Sequence, residues 1–328
     1  MKRLITGVLL SLVVAGFAIA QRGRGQEQKA APPVQQPARS LDDQVLSISV
    51  DLVNILFTVA DKKGKFITNL KREDFRVFED SRPQIITNFS SETDLPLTIA
   101  LLIDTSGSIR DKLRFEQEAA IEFFYSTLQR GKDKGSLITF DSGVELLQEF
   151  TDNPETLADK IRQIRAGGGT ALYDAIYLAV EKQLVGQEKG RKVLILISDG
   201  DDNSSRVSMT ETLEIAQKQD VTIYTISTNS AAFFGSKEQD RGDKTLKRFS
   251  DETGGKAFFP LKIQDLANSF QDIHQELRSQ YTIGYRPTNA KEDGTFRKIR
   301  IDVANKNFRA RHRAGYYMPR AANTSGAR

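Results

Sequence analysis

The chain has 328 residues, 39% of them hydrophobic, so it is long enough for two modules and can bury a sizeable core. It contains no cysteine, which excludes disulfides, thiol catalysis and a structural zinc site. The formal net charge of +4 is too small to indicate nucleic-acid binding by the protein as a whole. We therefore expect a fold that depends on its hydrophobic core, and no nucleic-acid partner.

The first 44 residues have the composition of export and tether segments. Lys2 and Arg3 precede an apolar run that ends at Ala20, an order typical of a secretory signal peptide over residues 1–20. We expect cleavage after Ala20, with an uncleaved membrane anchor as the alternative. Residues 21–44 are polar and rich in Gln and Pro, which predicts a flexible linker. The folded part is therefore expected in the periplasm or outside the cell.

Strand patterns flank the middle of the chain, in residues 45–92 and 281–318. In the first segment Val53, Ile55 and Phe57 recur at every second position, as in a half-buried strand. Neither segment is large enough for a core of its own, so we predict one small β-sandwich interrupted by a central domain. Two separate β-extensions are the alternative. Residues 319–328 are expected to form a disordered tail.

Strands and helices alternate through residues 93–280, which predicts an α/β domain with a doubly wound, mostly parallel sheet. Strands are expected near residues 98–103, 136–140, 192–197, 222–226 and 257–259. Helices are expected near residues 110–129, 154–164, 171–184, 210–219, 244–253 and 263–279. In such a sheet ligands collect outside the carboxyl ends of the strands, where residues distant in sequence meet.

Oxygen-bearing side chains follow three of these elements. Asp104, Ser106 and Ser108 come directly at the end of a buried strand, Thr170 follows three glycines, and Asp199 ends a second buried strand. Carboxylates and short hydroxyls suit a small divalent cation that leaves some positions to water or to a partner. We expect these five side chains to surround one ion. The alternative is that Ser108 only caps the following helix.

The combined pattern resembles a known family. Asp-x-Ser-x-Ser, a later threonine after glycines, and a later Asp-Gly after an apolar strand are similar to the metal-ion-dependent adhesion site of von Willebrand factor type A domains. The resemblance covers roughly residues 95–280, and no position of the motif is missing. With its flanking β-segments and the Tyr-x-x-Gly-Tyr strand at residues 281–285, the chain also resembles exported bacterial proteins related to that family.

This resemblance implies a role for each residue of the motif. Ser106 and Ser108 are expected to bind Mg²⁺ directly, and Thr170 directly or through water. Asp104 and Asp199 are expected to act mainly through bound waters. Mn²⁺ and Ca²⁺ are the alternative ions.

The predicted function is a non-catalytic protein-binding or adhesion module. A cation held mostly by neutral hydroxyls and water stays electrophilic, so an Asp or Glu side chain of a partner protein can complete its shell. The alternatives are a metal-assisted hydrolase, against which the lack of a general base argues, and a structural protein with a stabilising cation. An aspartyl phosphatase is disfavoured because Ser106 stands where a second carboxylate is usual. His274 and His312 lie away from any candidate nucleophile.

A long polar connection is expected from Thr228 to Gly242, after a strand that ends at the same edge as the cation. It contains Phe233 and Phe234. Long loops with aromatic residues tend to be functional, so a partner contact or a lid is one interpretation. The alternative is that the two rings fold back onto the domain.

The C-terminal segment is strongly basic. Lys298 and Arg300 alternate on one strand pattern, and Arg309, Arg311 and Arg313 alternate on the next. If these two strands pair, five cations share one sheet face, which would suit an anionic glycan or a membrane surface. The alternative is that the charges keep an edge strand soluble.

Overall fold

The computed structural model describes residues 52–91, 95–187, 190–229 and 237–320. The expected signal peptide and linker, the aromatic pair Phe233 and Phe234, and residues 321–328 lie outside the described residues. Within the described ranges, no helix combines the length and the apolar character needed to cross a bilayer.

The described ranges contain fourteen strands and six α-helices. The strands are β1 (Val53–Asp61), β2 (Phe75–Glu79), β3 (Arg82–Gln84), β4 (Ile86–Ser90), β5 (Leu97–Asp104), β6 (Lys134–Phe140), β7 (Val144–Thr151), β8 (Arg191–Ser198), β9 (Val221–Ser227), β10 (Ala257–Phe258), β11 (Gln280–Tyr285), β12 (Phe296–Val303), β13 (Phe308–His312) and β14 (Gly315–Tyr317). The helices are α1 (Leu113–Thr127), α2 (Pro154–Ile161), α3 (Leu172–Leu178), α4 (Met209–Lys218), α5 (Lys237–Thr253) and α6 (Leu266–Leu277).

A six-stranded sheet forms the centre of the molecule, in the order β10, β9, β8, β5, β6, β7. The first five strands of this order are parallel, and only the edge strand β7 is antiparallel. β5 is buried along its whole length because both of its faces are covered. Ile99 and Leu101 pack towards α1, α2 and α6, whereas Ala100 and Leu102 pack towards α3, α4 and α5. The predicted doubly wound, mostly parallel α/β architecture is confirmed.

The flanking strands form two antiparallel sheets, in the orders β13, β1, β11, β4 and β14, β12, β2, β3. Strands from before the central domain therefore pair with strands from after it: β1 and β4 with β11, and β2 with β12. Both sheets contribute to a single core, which includes Phe57, Phe75 and Tyr281. The predicted joint β-sandwich is confirmed, and two separate extensions are excluded.

Several predicted boundaries were wrong. β7 was not predicted, because it is a partly exposed edge strand without a regular apolar period. α5 begins at Lys237 rather than at residue 244, since its first two turns are almost entirely polar, and the connection after β9 is correspondingly shorter. The helix expected over residues 171–184 continues beyond α3 as a π-helical turn, Ala179–Leu184. Arg320 still pairs with Asp293, so the folded part extends past residue 318.

The expected basic face is also not formed as predicted. β12 and β13 do not pair with each other, because they belong to different sheets. Arg311 forms an ion pair with Glu276, Arg313 with Asp220 and Arg300 with Asp302. Contact with an anionic glycan or a membrane stays a prediction, but its premise of five cations on one sheet face is wrong.

A buried carboxylate connects the sandwich to the central domain. Glu276 of α6 is almost fully buried and lies 2.7 Å from the Arg311 guanidinium of β13. The hydroxyls of Thr58 and Tyr224 also donate to Glu276 Oε1. β1, β9, β13 and α6 are therefore held around one charge, which favours a fixed orientation of the two modules.

The strand pairing predicts how fragments behave. A fragment of residues 45–89 is expected to stay unfolded, because β1 and β4 lose their partner β11 and β2 keeps only the short β3 after losing β12. A fragment of residues 95–280 keeps all six strands of the central sheet and is expected to fold alone. Circular dichroism and thermal melting check both expectations. A cooperative melt of the shorter fragment would contradict the shared sandwich.

Candidate functional site

The predicted site residues lie at the carboxyl edge of the central sheet. β5 lies between β8 and β6 and runs parallel to both, so the loops that follow β5 and β8 are neighbours. Asp104 is the last residue of β5, and Ser106 and Ser108 lie in the loop after it. Asp199 directly follows β8, and Thr170 lies two residues before α3.

A chain of hydrogen bonds joins four of the five predicted residues. The Oγ atoms of Ser106 and Ser108 are 2.9 Å apart, and Ser108 Oγ donates to Asp199 Oδ2 over 3.0 Å. Asp104 Oδ1 accepts the Ser106 amide at 2.9 Å, while Asp104 Oδ2 accepts Ser198 Oγ at 2.7 Å. The structure thus brings together side chains from two strand ends that are about 95 residues apart in sequence.

Backbone contacts bring the Thr170 loop to the same place. The Gly107 amide donates to the Gly168 carbonyl over 3.2 Å, and the Gly167 amide donates to the Thr105 carbonyl over 2.7 Å. Gly168 has a φ of +94°, and a Cβ there would lie 2.8 Å from Asp141 Oδ2. The position therefore requires glycine for both its conformation and its space. Thr170 itself is buried.

The segment after Asp199 supports this loop. Asn203 Oδ1 accepts the Thr170 amide at 3.0 Å, and the Asn203 amide donates to the Thr170 carbonyl. Asp202 and Ser205 accept amides from the first turn of α3. No sequence pattern indicated a role for Asn203 or Ser198, because their roles depend on contacts between loops. Asn203 holds the Thr170 loop in place, and Ser198 holds the Asp104 carboxylate.

Ser108 is not the N-cap residue of the following helix. α1 begins five residues after it, at Leu113, and the N-cap residue is Lys112. The Ser108 hydroxyl donates to Asp199 and is exposed at the sheet edge. Ser106 precedes the 3₁₀ turn Gly107–Ile109, and its side chain makes no capping hydrogen bond. Both hydroxyls are therefore directed into the cluster rather than to the amides of a helix.

Burial makes Asp104 an unusual carboxyl. The side chain is fully buried, and burial raises its pKa to about 6. Hydrogen bonds from Ser106 and Ser198 oppose this shift, while the nearby Asp199 adds to it. A positive ion at the sheet edge would favour the charged form of Asp104. The protein without an ion therefore carries an electrostatic cost at this site.

Glu116 is a buried carboxyl group that was not predicted from the sequence. It lies in the first turn of α1 with a fully buried side chain. Neither carboxyl oxygen has a hydrogen-bond partner among the described residues, and burial, with Asp104 adding to it, raises the pKa to about 8. The available signal was its helical spacing of three, four and seven residues from Ala119, Ala120 and Phe123, which places it on the apolar face of α1.

The residues present fit a hard divalent cation. Three hydroxyls and two carboxylates, all of them oxygen donors, lie at one edge, and a bound cation would favour the charged form of the buried Glu116 carboxyl. No three His, Cys, Asp or Glu side chains of the described residues form a metal-binding group. A site built mainly from hydroxyls does not require such a group, since serine and threonine oxygens supply the remaining donors.

The shifted carboxyl groups predict how the metal-free protein responds to pH. The folded protein binds a proton at Glu116 more tightly than the unfolded chain, so stability falls as pH rises from 4.5 towards 8. Burial lowers the pKa of both histidines, which changes stability in the opposite direction below about pH 6.5. Between pH 6.5 and 8, the free energy of unfolding in EDTA is expected to fall by about 2 kcal/mol.

Urea denaturation at several pH values measures this change. Glu116→Gln is expected to remove most of the decrease in the free energy of unfolding above pH 6.5, because the glutamine side chain has no proton to lose. An equal decrease in the wild type and in the variant would show that another group causes it.

Comparison with known proteins identifies the class of this domain. The family model of the von Willebrand factor type A domain matches residues 98–276, and the chain belongs to this family. An uncharacterized protein of Borreliella burgdorferi is 25% identical over 224 residues, which are 64% of this chain and 62% of that protein. The chain therefore spans less than two thirds of the length of this relative.

Two solved structures are similar to parts of the chain. Proximal thread matrix protein 1 from the mussel byssus, with a zinc-occupied MIDAS motif, is 16% identical with a TM-score of 0.48 and matches 61% of this chain and 50% of that one. The vWF domain of the type V pili tip protein Mfa5 from Porphyromonas gingivalis is 14% identical with a TM-score of 0.44 and matches 56% and 95%, respectively.

Proposed function

We propose that this protein is an exported, non-catalytic module that binds a partner protein through a divalent cation at the carboxyl edge of its central sheet. The observation that carries the proposal is the hydrogen-bonded series of Ser106, Ser108 and Asp199 at that edge. Ser108 is exposed, whereas Asp104 beneath it is fully buried. An ion at this place would be held from below and remain open to a partner from above.

The five motif residues would bind the ion in two ways, directly or through water. Ser106 and Ser108 would hold the ion directly, with Thr170 doing so directly or through water. Asp104 and Asp199 would hold its water ligands, which suits the hydrogen bonds that both already accept from serine hydroxyls. Neutral donors leave most of the ionic charge uncompensated, so an Asp or Glu side chain of the partner is the natural remaining ligand. Mg²⁺ is the proposed ion, with Mn²⁺ or Ca²⁺ as alternatives.

Two features argue against a metal-assisted hydrolase. Such an enzyme needs a base that can reach a water beside the ion. His274 contacts the buried Thr127 hydroxyl between α6 and α1, and His312 lies on β13 of the sandwich, bonded to the backbone of Arg313 and Ile301. Glu116 is fully buried and offers no route for a substrate.

Export is part of the proposal because residues 1–20 have the pattern of a signal peptide.

Partner retention with and without the ion tests the proposed function. Cross-linked material from the native cell envelope would be captured on the wild type and on Ser106→Ala, each in Mg²⁺ and in EDTA. Capture is expected only with the wild type in Mg²⁺, and the melting temperatures of the two metal-free proteins should agree. Ser126→Ala, which removes a hydroxyl from the far half of α1, is the matched control. If Ser106→Ala lost capture and also melted at a lower temperature, a structural role of the cation would be favoured instead.

A further inference from the structure

The fold alone does not account for the carboxyl group of Glu116. Its side chain is 0% exposed, and both oxygens lack a hydrogen-bond partner among the described residues. Burying a carboxyl without a partner is costly, whereas an apolar residue at the same position would cost nothing. A buried group of this kind points to a ligand or a charge that acts on it from nearby.

The surroundings of Glu116 indicate where that ligand lies. The charged groups that act on it are Asp104, Lys112 and Asp199, and two of these belong to the cation site. The Lys112 ammonium donates to the Thr228 carbonyl over 2.6 Å, just beyond the end of β9. That ammonium is therefore held at the sheet edge by another acceptor. The other two groups are carboxylates of like charge, which oppose the charged form of Glu116, whereas a positive ion at the sheet edge would favour it.

We propose that Glu116 is a positioning carboxylate of the cation site, which strengthens ion binding through its charge from behind Asp104 without touching the ion. This inference rests on the proposed function, because it requires an ion at the sheet edge. Glu116 is not assigned as a direct ligand, since the described acidic side chains do not form a three-membered metal-binding group. A bound cation favours the charged form of Glu116, so the site would then hold the ion against three negative charges instead of two, which increases its retention when no partner is bound.

The direct test compares the cation affinity of the full chain with and without this charge. Calorimetric titration with Mg²⁺ is expected to show a ten- to hundredfold weaker affinity for Glu116→Gln, roughly the loss seen when residues behind metal ligands are removed. Glu116→Asp keeps the charge and should recover part of the affinity. The control is Glu118→Gln on the same helix, because the Glu118 side chain is 58% exposed and pairs with Arg114. Its affinity should equal that of the wild type.

A second measurement separates the charge from a role in folding. Glu116→Gln should melt at the same temperature as the metal-free wild type or above it, because it removes an unpaired buried carboxyl. A comparison of two ions tests whether the effect is electrostatic. Ca²⁺ and Tb³⁺ have similar radii, and their charges are in the ratio of two to three. The loss in log affinity caused by Glu116→Gln should therefore be about 1.5 times larger for Tb³⁺.

The outcomes distinguish this inference from the proposed function. Equal Mg²⁺ affinity of the wild type and Glu116→Gln would overturn the role of Glu116 and leave the site itself intact. A lower melting temperature together with an equal loss for Ca²⁺ and Tb³⁺ would also overturn it, in favour of a packing role. A wild type that binds none of the three ions would overturn the proposed function as well.

Discussion

Replacing Asp104 and Ser106 together by alanine is expected to abolish Mg²⁺ and Mn²⁺ binding. The double variant removes one direct hydroxyl ligand and the carboxylate that accepts the Ser106 amide and the Ser198 hydroxyl. The affinity should fall at least a hundredfold, because each of these losses alone is expected to cost about tenfold or more. Isothermal titration calorimetry on the metal-free protein measures it directly. Unchanged binding would refute the assignment of the ion to this edge.

Asp104 is buried, so its loss also affects stability, and a second variant controls for this. Ser106→Ala with Ser108→Ala leaves the Asp104 carboxylate and its bond to Ser198 in place. It is expected to lose ion binding to a similar degree, with a melting temperature close to that of the wild type. A folded double-serine variant that binds Mg²⁺ normally would show that the hydroxyls are not ligands.

The second large effect is expected in the sandwich, where Glu79→Ala should lower the free energy of unfolding by about 3–5 kcal/mol. Glu79 Oε2 accepts the hydroxyls of Tyr285 and Tyr316 at 2.8 and 2.9 Å, and the Arg297 guanidinium lies 3.6 Å from Glu79 Oε1. Glu79 and Arg297 are both only 2% exposed. The alanine variant therefore leaves a buried guanidinium without one of its charge partners and two hydroxyls without acceptors.

Urea denaturation monitored by circular dichroism measures this loss. Glu73→Ala is the matched control, because Glu73 is an exposed acid that precedes the same strand. It should change the free energy of unfolding by less than about 0.5 kcal/mol. A change below about 1 kcal/mol in Glu79→Ala would show that Arg297 is compensated by Asp293 and the carbonyls of Asn289 and Lys291 alone.

Much of the central domain was predictable because its signals are local. The strands β5 and β8 each contain a long apolar run and end at Asp104 and just before Asp199, and parallel strands place their carboxyl ends at one edge. From this geometry we predicted that the motif residues in the loops after β5 and β8 lie close together. β7 and the start of α5 were missed because an exposed edge strand and a polar helix have no apolar period.

Residue types and their spacing were sufficient to predict the class of the domain, the hydroxyl-rich motif and the partition into a central domain with flanking strands. These depend on residue type and on periods of two or 3.6 residues along the chain. The three-dimensional fold was needed to show that Ser198 bonds to Asp104, that the buried Glu116 lacks a hydrogen-bond partner among the described residues, and that Arg311 pairs with Glu276. Such contacts join residues from separate elements, and local periodicity contains no information about which of them meet.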